Sequence, residues 1–159
     1  YVGVLISASP TETERFGASL ATHLRCGDVV GVTGELGSGK TTFIRGACRA
    51  LGIVDRVTSP TFTIGHRYTG ELDVAHLDLY RFETMNVAEW ADIESLLERA
   101  VAFVEWPDVG ASFLPEPRVT VALSHIDEEH RSLKFSTRDR LLADVFEAGF
   151  PAETSLRQA

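Results

Sequence analysis

Residues 29–41 read Val29-Val30-Gly31-Val32-Thr33-Gly34-Glu35-Leu36-Gly37-Ser38-Gly39-Lys40-Thr41, and this stretch decides the fold. Its first part, up to Thr33, is a mostly β-branched apolar run that stops at a glycine, as a buried strand of a parallel sheet does. Its second part matches the pattern G-x-x-x-x-G-K-[ST] of phosphate-binding loops. A helical pattern follows from Thr41 to Leu51. The loop pattern therefore lies where its chemistry requires it, between a strand and a helix.

Each residue type in this loop has a physical role. Glycines let the backbone curl so that successive N–H groups point at phosphate oxygens, and the start of the helix adds partial positive charge. We expect Lys40 to neutralise the β- and γ-phosphates and the Thr41 hydroxyl to ligate Mg²⁺. The loop therefore predicts a site for ATP and Mg²⁺. Its predicted nucleotide-binding residues are Glu35, Leu36, Gly37, Ser38, Gly39, Lys40, Thr41 and Thr42.

Such a loop needs a further acid to hold the metal ion or its water, normally at the end of a neighbouring hydrophobic strand. Glu105 ends the apolar run 101–104, and Asp78 follows the strand-like run 72–77. Ligands of open α/β sheets bind at the carboxyl ends of strands. We prefer Glu105 as the essential acid and place Asp78 second, although either carboxylate could simply cap a loop. The predicted metal ligands are thus Thr41, Asp78 and Glu105.

A polar stretch stiffened by one proline, residues 58–63, lies between the loop helix and Asp78. In nucleotide switches a threonine in such a segment contacts Mg²⁺ and the γ-phosphate, and this contact is lost after hydrolysis. We therefore name Thr61 as a catalytic residue of this kind, beside Asp78 and Glu105. The alternative, a turn before a strand in which the hydroxyls cap backbone groups, stays open.

Four further side chains have less specific signals. A lone histidine beside a strand is more often a hydrogen-bonded structural residue than a catalyst, so His76 is assigned no acid–base role. Trp106 is either a core aromatic or a neighbour of the nucleotide. Arg45 and Arg81 are candidates for stabilising charge during hydrolysis, a task that a partner's arginine can also perform.

Hydrophobic spacing predicts the remaining elements. A Thr11 to Glu14 capping box opens a helix that ends near Cys26. Further strands are expected at 62–68, 72–77, 101–104, 119–123 and 133–136, and further helices at 87–97 and 140–148. These elements predict an α/β protein with a three-layer P-loop NTPase-like fold, in which helices flank a mainly parallel central sheet with some antiparallel strands. We expect one domain over residues 1–150 and a flexible tail over 151–159.

The charge is unevenly placed along the chain. Net charge is -8, yet residues 1–81 carry eight basic and eight acidic side chains, while residues 82–159 carry seven basic and fifteen acidic ones. Nucleic-acid affinity comes mostly from clustered Lys and Arg, so a direct grip on a phosphate backbone is not expected. The acidic stretch 82–116 is either the solvated face of a helix or a docking surface for a basic partner.

Several other classes of protein are excluded. No apolar run approaches the roughly 20 residues that cross a bilayer, so no membrane association is expected. Cys26 and Cys48 stand apart from any Cys/His cluster, which argues against a disulfide framework and a zinc site. The chain starts at Tyr1 without a Met or a basic leader, so we expect a trimmed terminus and a cytoplasmic protein.

The motifs taken together resemble the TsaE (YjeE) family of bacterial ATPases. The resemblance runs in order from about Thr11 to about Ser136. It is carried by GELGSGKTTF at 34–43, RG at 45–46, SPTFT at 59–63, HLDLYR at 76–81, EWP at 105–107 and LP at 114–115. No block after the first is decisive alone, but the ordered set is specific.

This resemblance implies a function beyond what the residues show. TsaE-like proteins act in making threonylcarbamoyladenosine in tRNA, together with the transferase TsaD and its non-catalytic relative TsaB. The TsaE subunit binds that pair, and its ATP hydrolysis supports repeated turnover, so tRNA is met only through the complex. By resemblance, Lys40 and Thr41 belong to the nucleotide and Mg²⁺ site, Thr61 to a switch-like loop, and Asp78 and Glu105 to hydrolysis. Trp106 would lie beside the nucleotide.

Three rival classes remain as alternatives. A small P-loop kinase would share the loop, but the chain lacks an arginine-rich lid segment. A guanine-nucleotide switch would normally carry an Asn-Lys-x-Asp base reader, and the sequence has none. A nucleotide-binding scaffold with little activity would not need both Asp78 and Glu105.

Overall fold

A computed structural model describes residues 1–58, 64–80 and 82–148. The strands are β1 (Val2–Ser7), β2 (Val29–Gly34), β3 (Gly65–Tyr68), β4 (Asp73–Asp78), β5 (Ala100–Glu105), β6 (Val119–His125) and β7 (Arg131–Ser136). The helices are α1 (Pro10–Ala21), α2 (Lys40–Ala50), α3 (Val87–Leu97) and α4 (Arg140–Glu147), with a short 3-10 helix at Pro107–Gly110. The predicted tail at 151–159 lies outside the described residues.

All seven strands form one sheet in the order β1-β7-β6-β2-β5-β4-β3. The four strands from β6 to β4 run parallel, with β2 paired to β6 on one side and β5 on the other. The edges are antiparallel, since β3 pairs with β4, and β7 pairs with both β6 and β1. This mixed sheet flanked by helices confirms the predicted fold class.

Alternation along the strands gives the sheet two apolar faces. Val30 and Val32 of β2 point into a core shared with α1, α2 and α4, whereas Val29 points into a core beneath α3. Large side chains fill the first core, among them Phe16, Phe43, Phe103, Phe135 and Phe146. The layers are therefore helix, sheet and helix, and the loop that joins β2 to α2 emerges between them at the carboxyl edge of the parallel strands.

Three details of the first thirty residues differ from the prediction. The cap of α1 is Ser9, whose side chain accepts a hydrogen bond from the backbone N–H of Glu12 at 3.1 Å, and the Thr11 to Glu14 box is wrong. The helix also ends at Ala21 rather than near Cys26. Strand β1 was not predicted at all, because its pairing partner, β7, lies far along the chain.

The two cysteines lie in different surroundings. Cys26 is exposed and Cys48 is buried, and neither forms a disulfide. Burial raises the pKa of the Cys48 thiol to about 12, which keeps it protonated and unreactive. Within the described ranges, no helix combines the length and the apolar character that crossing a membrane requires.

Arg118, directly before β6, connects three segments of the chain. Its Nε donates to Asp139, the N-cap of α4, and its Nη1 donates to Asp28, each at 2.8 Å. The same Nη1 also donates to the His23 carbonyl at 2.6 Å. The arginine is only 13% exposed at its side chain, so these charges are largely removed from water.

We expect replacement of Arg118 with methionine to lower the free energy of unfolding by about 2 to 4 kcal/mol, because two carboxylates would lose their buried partner. Chemical denaturation measures the change. The matched control is Arg138→Met, since Arg138 pairs with Glu116 while 91% exposed and should shift stability by less than about 0.5 kcal/mol. Equal effects of the two substitutions would contradict the assignment.

Candidate functional site

The loop between β2 and α2 has the backbone that its glycines predict. Gly34, Gly37 and Gly39 have φ values of 147°, 76° and 105°, which L side chains rarely adopt. A Cβ on Gly34 would also lie 2.5 Å from both the Leu123 carbonyl oxygen and Ser38 Oγ. The loop therefore folds back closely on itself and delivers the chain into α2 at Lys40, with the unpaired N–H groups of the first turn at its mouth.

Two polar side chains of the loop are held inside it. Lys40 Nζ donates to the carbonyl oxygens of Gly34 at 2.5 Å and Glu35 at 3.3 Å. Ser38 is wholly buried, and its Oγ has no hydrogen-bond partner among the described residues. A buried hydroxyl without a partner is unfavourable. The loop thus presents an ammonium group, a hydroxyl and backbone donors toward one centre, which suits a polyanion.

Glu105 ends β5 beside this loop, where the prediction placed it. It is 2% exposed, and one carboxylate oxygen, Oε1, lies 4.0 Å from Lys40 Nζ. The other, Oε2, lies 2.8 Å from His76 Nε2. A buried carboxylate requires such partners, because an isolated charge in the interior is strongly unfavourable. His76 is therefore hydrogen-bonded, as expected for this residue.

Asp78 is the direct neighbour of Glu105, since the two residues are paired across the parallel strands β4 and β5. Its Oδ1 accepts a hydrogen bond from the Tyr80 backbone N–H at 3.0 Å. Burial raises the pKa of the Asp78 carboxyl above its ordinary value, and the charge of Glu105 raises it further. Two carboxylates that repel each other at a cavity favour a cation between them.

A cavity of about 610 Å³ joins these groups. Every predicted site residue within the described ranges lines it: Glu35, Leu36, Gly37, Ser38, Gly39, Lys40, Thr41, Thr42, Asp78, Glu105 and Trp106. Thr61 and Arg81 lie outside the described residues. Arg45 instead pairs with Glu14 of α1 at 3.7 Å and is not part of the cavity lining.

Exposed apolar side chains surround the mouth of the cavity. Leu36 is 98% exposed, Tyr80 is 67% exposed and Trp106 is 42% exposed. The rings of Tyr80 and Trp106 lie 5.2 Å apart, and Trp106 has the unusual φ of 59°. Tyr80 was not predicted as a site residue; its place two residues after Asp78, just past the end of β4, was the available signal.

A second cavity of about 400 Å³ lies on the other side of the same loop. It shares Gly37, Gly39 and Thr42 with the first. Its remaining lining comes from the start of α1 and from the turn between β6 and β7: Ala8, Ser9, Pro10, Thr13, Glu128, Glu129 and Arg131. No local pattern predicts this cavity, because three segments distant along the chain build it.

The donors in the first cavity fit Mg²⁺. Thr41 supplies a hydroxyl and Asp78 and Glu105 supply carboxylates, the hard oxygen ligands that this ion prefers. Within the described part of the chain, no cluster of three or more His, Cys, Asp or Glu residues could hold a metal ion alone. Mg²⁺ does not need one, because it is usually bound by one or two carboxylates plus water and substrate phosphates.

Comparisons with known proteins point in one direction. The family model described as "Threonylcarbamoyl adenosine biosynthesis protein TsaE" matches residues 7–133. The tRNA threonylcarbamoyladenosine biosynthesis protein TsaE of Treponema pallidum (strain Nichols) is 36% identical over 131 residues, covering 80% of this chain and 96% of the relative. The protein of the same name from Bacillus subtilis (strain 168) is 34% identical, covering 82% of each chain.

A solved structure is similar as well. The crystal structure of Bacillus subtilis YdiB superposes with a TM-score of 0.72 at 28% sequence identity, covering 93% of both chains. The structural similarity therefore extends over nearly the whole chain.

Proposed function

Because this chain belongs to the TsaE family of threonylcarbamoyladenosine biosynthesis proteins, we propose that it is a Mg²⁺-dependent ATPase acting on a TsaB–TsaD complex in the cytoplasm. The observation that carries the ATPase proposal is the convergence of four groups on one cavity. Lys40 and Thr41 reach it from the start of α2, and Asp78 and Glu105 reach it from the ends of two adjacent parallel strands.

The proposed roles follow from chemistry and position. Lys40 and the backbone donors of the loop bind the β- and γ-phosphates, and Thr41 ligates Mg²⁺. Asp78 and Glu105 hold the water ligands of the ion or orient the attacking water through their carboxylate oxygens. Mg²⁺, when bound, neutralises charge on the phosphates. Trp106 lies on the wall of the first cavity, so it would lie beside the phosphates of a bound nucleotide.

The second cavity is the proposed place of the nucleoside. It adjoins the loop through Gly37, Gly39 and Thr42, so a ligand whose phosphates lie in the first cavity can reach it. Ser9 and Arg131 give its wall a polar character, and Thr13 lines it with its hydroxyl hydrogen-bonded to Ser7 at 2.7 Å. This arrangement leaves the γ-phosphate end near Leu36, Tyr80 and Trp106.

Those three exposed apolar side chains support a protein partner at the cavity mouth. Large exposed apolar residues that gather at one place mark interaction sites more often than free surface. The acidic second half of the chain also disfavours direct contact with a tRNA backbone. We therefore propose that TsaB and TsaD meet the protein near its nucleotide and that tRNA is held by them.

Steady-state ATP hydrolysis with Mg²⁺ tests this proposal. We expect slow hydrolysis by the protein alone and a rise of at least about tenfold after TsaB and TsaD from the same organism are added, since a partner can complete the site. Bound ATP with no rise would favour a scaffold with little activity. ATP consumption that depends on a small-molecule acceptor would favour a kinase.

Replacement of Glu105 with glutamine separates binding from hydrolysis. It removes the carboxylate charge but keeps the size of the side chain, so we expect kcat to fall roughly 100-fold. The dissociation constant for ATP should change by less than about threefold. Single-turnover kinetics and equilibrium binding measure the two effects, with Asp78→Asn in parallel. A normal rate with Glu105→Gln and a large loss with Asp78→Asn would make Asp78 the essential acid.

A further inference from the structure

His76 is a wholly buried polar side chain directly behind the site. It lies on β4, two residues before Asp78, so both side chains project from the same face of the strand. That face points toward the core beneath α1 and α2, to which Val74 of the same strand belongs. His76 pairs with Phe103 of β5 and Asp78 pairs with Glu105. The imidazole therefore lies one residue pair further from the carboxyl edge of the sheet than the two carboxylates on the same face.

The hydrogen bond between His76 and Glu105 gives the two carboxylate oxygens of Glu105 different partners. A carboxylate accepts, so the Nε2–H of His76 donates to Oε2 at 2.8 Å. Oε1 is left on the side of Lys40, 4.0 Å from its Nζ, where the cavity begins. His76 Nδ1 has no hydrogen-bond partner within the described ranges. Within those ranges, Glu105 is thus the hydrogen-bond partner of the His76 imidazole.

We propose that His76 is a positioning residue for Glu105. It fixes the carboxylate with Oε2 turned into the sheet and Oε1 turned to the cavity, so that one oxygen is presented to the metal-bound or attacking water. Partners of this kind commonly orient a functional carboxylate, and their loss typically lowers activity or metal affinity 10- to 100-fold. This inference rests on the proposed ATPase function and adds to it a residue that does not touch the nucleotide.

Two substitutions distinguish a histidine that positions Glu105 from one that only fills space in the core. His76→Leu keeps an apolar side chain of similar bulk but has no donor, whereas His76→Gln keeps an N–H donor. The matched control is His66→Leu. His66 pairs with His76 across β3 and β4, but its ring packs beside Tyr68 at 5.9 Å.

Single-turnover hydrolysis and ATP affinity are then measured for all variants. We expect His76→Leu to lower kcat roughly 10- to 100-fold, while His76→Gln stays within about fivefold of the wild type and His66→Leu within about twofold. In a Glu105→Gln background, His76→Leu should change kcat by less than about twofold, because the residue acts through Glu105. Additive losses in the double variant, or no rescue by Gln in a folded protein, would overturn the proposal.

A second measurement does not depend on hydrolysis. The dissociation constant for ADP is measured with Mg²⁺ and with EDTA, and the ratio of the two values gives the gain in ADP affinity that Mg²⁺ provides. We expect this gain to be smaller in His76→Leu than in the wild type and close to the wild-type gain in His76→Gln. An unchanged Mg²⁺ effect in a folded His76→Leu protein would overturn the positioning role. A wild-type protein that binds ADP with Mg²⁺ but hydrolyses no ATP would contradict the ATPase proposal alone, and the Mg²⁺ measurement would still decide the role of His76.

Discussion

Replacement of Lys40 with alanine is expected to weaken ATP binding roughly 100- to 1000-fold, which corresponds to about 3 to 4 kcal/mol. The lysine side chain is 12% exposed, and its ammonium group lies within hydrogen-bond distance of two loop carbonyls. In the proposed complex it faces the β- and γ-phosphates, whose charge would then lose its main protein partner. Removal also leaves the buried Glu105 without its nearest cation.

Equilibrium titration with ATP and Mg²⁺ measures this loss, with Trp106 fluorescence as a reporter of the cavity. The chain offers a close control, because Lys134 is its other lysine and lies exposed on β7. Lys134→Ala should leave the affinity within about twofold of the wild type. Comparable losses in both variants would mean that the loop lysine has no special role.

Replacement of Gly46 with alanine is expected to destabilise the protein by about 3 kcal/mol or more, although alanine is the better helix former. A Cβ on Gly46 would overlap the Glu14 carbonyl of α1, and one on Gly17 would overlap the Phe43 carbonyl of α2. The obstacle is backbone in both cases, so no side chain can turn aside. Either helix would have to move, and the first core lies directly beneath them.

Thermal unfolding measures this effect, and a loss of about 3 kcal/mol corresponds to roughly 10 °C in Tm for a chain of this length. Gly3→Ala is the control, because the atoms nearest to a Cβ there all belong to the Tyr1 side chain, which can rotate away. Its Tm should change by less than about 3 °C. A Gly46→Ala protein as stable as the wild type would show that α1 and α2 are not held in this close contact.

Much of the fold and of the site could be predicted from local signals in the sequence. Strand β2, the glycine loop and α2 follow one another without interruption, so their sequence pattern alone was enough to predict them. Asp78 and Glu105 were predictable because each ends an apolar strand, and parallel strands end at the same edge. The fold class followed from the same alternation of strands and helices.

The remaining features depend on contacts between distant residues. Strand β1 exists because β7 pairs with it, and a short stretch such as 2–7 does not reveal that partner. The contact between His76 and Glu105 depends on the register of β4 against β5, which no local pattern sets. The cap of α1 is an exception, because Ser9 followed by Pro10 at the start of the helix is a local signal that the Thr11 prediction overlooked.

The glycine contact between α1 and α2 has a mechanical consequence. Where backbone touches backbone, no flexible side chain is left to absorb a relative displacement, so the two helices are expected to move as one rigid body. One member of that body, α2, begins at the phosphate loop, and the other, α1, begins at the wall of the second cavity. A small rotation of α2 on nucleotide binding or release would therefore also move Ser9 and Thr13. The walls around both ends of a bound nucleotide would then shift together.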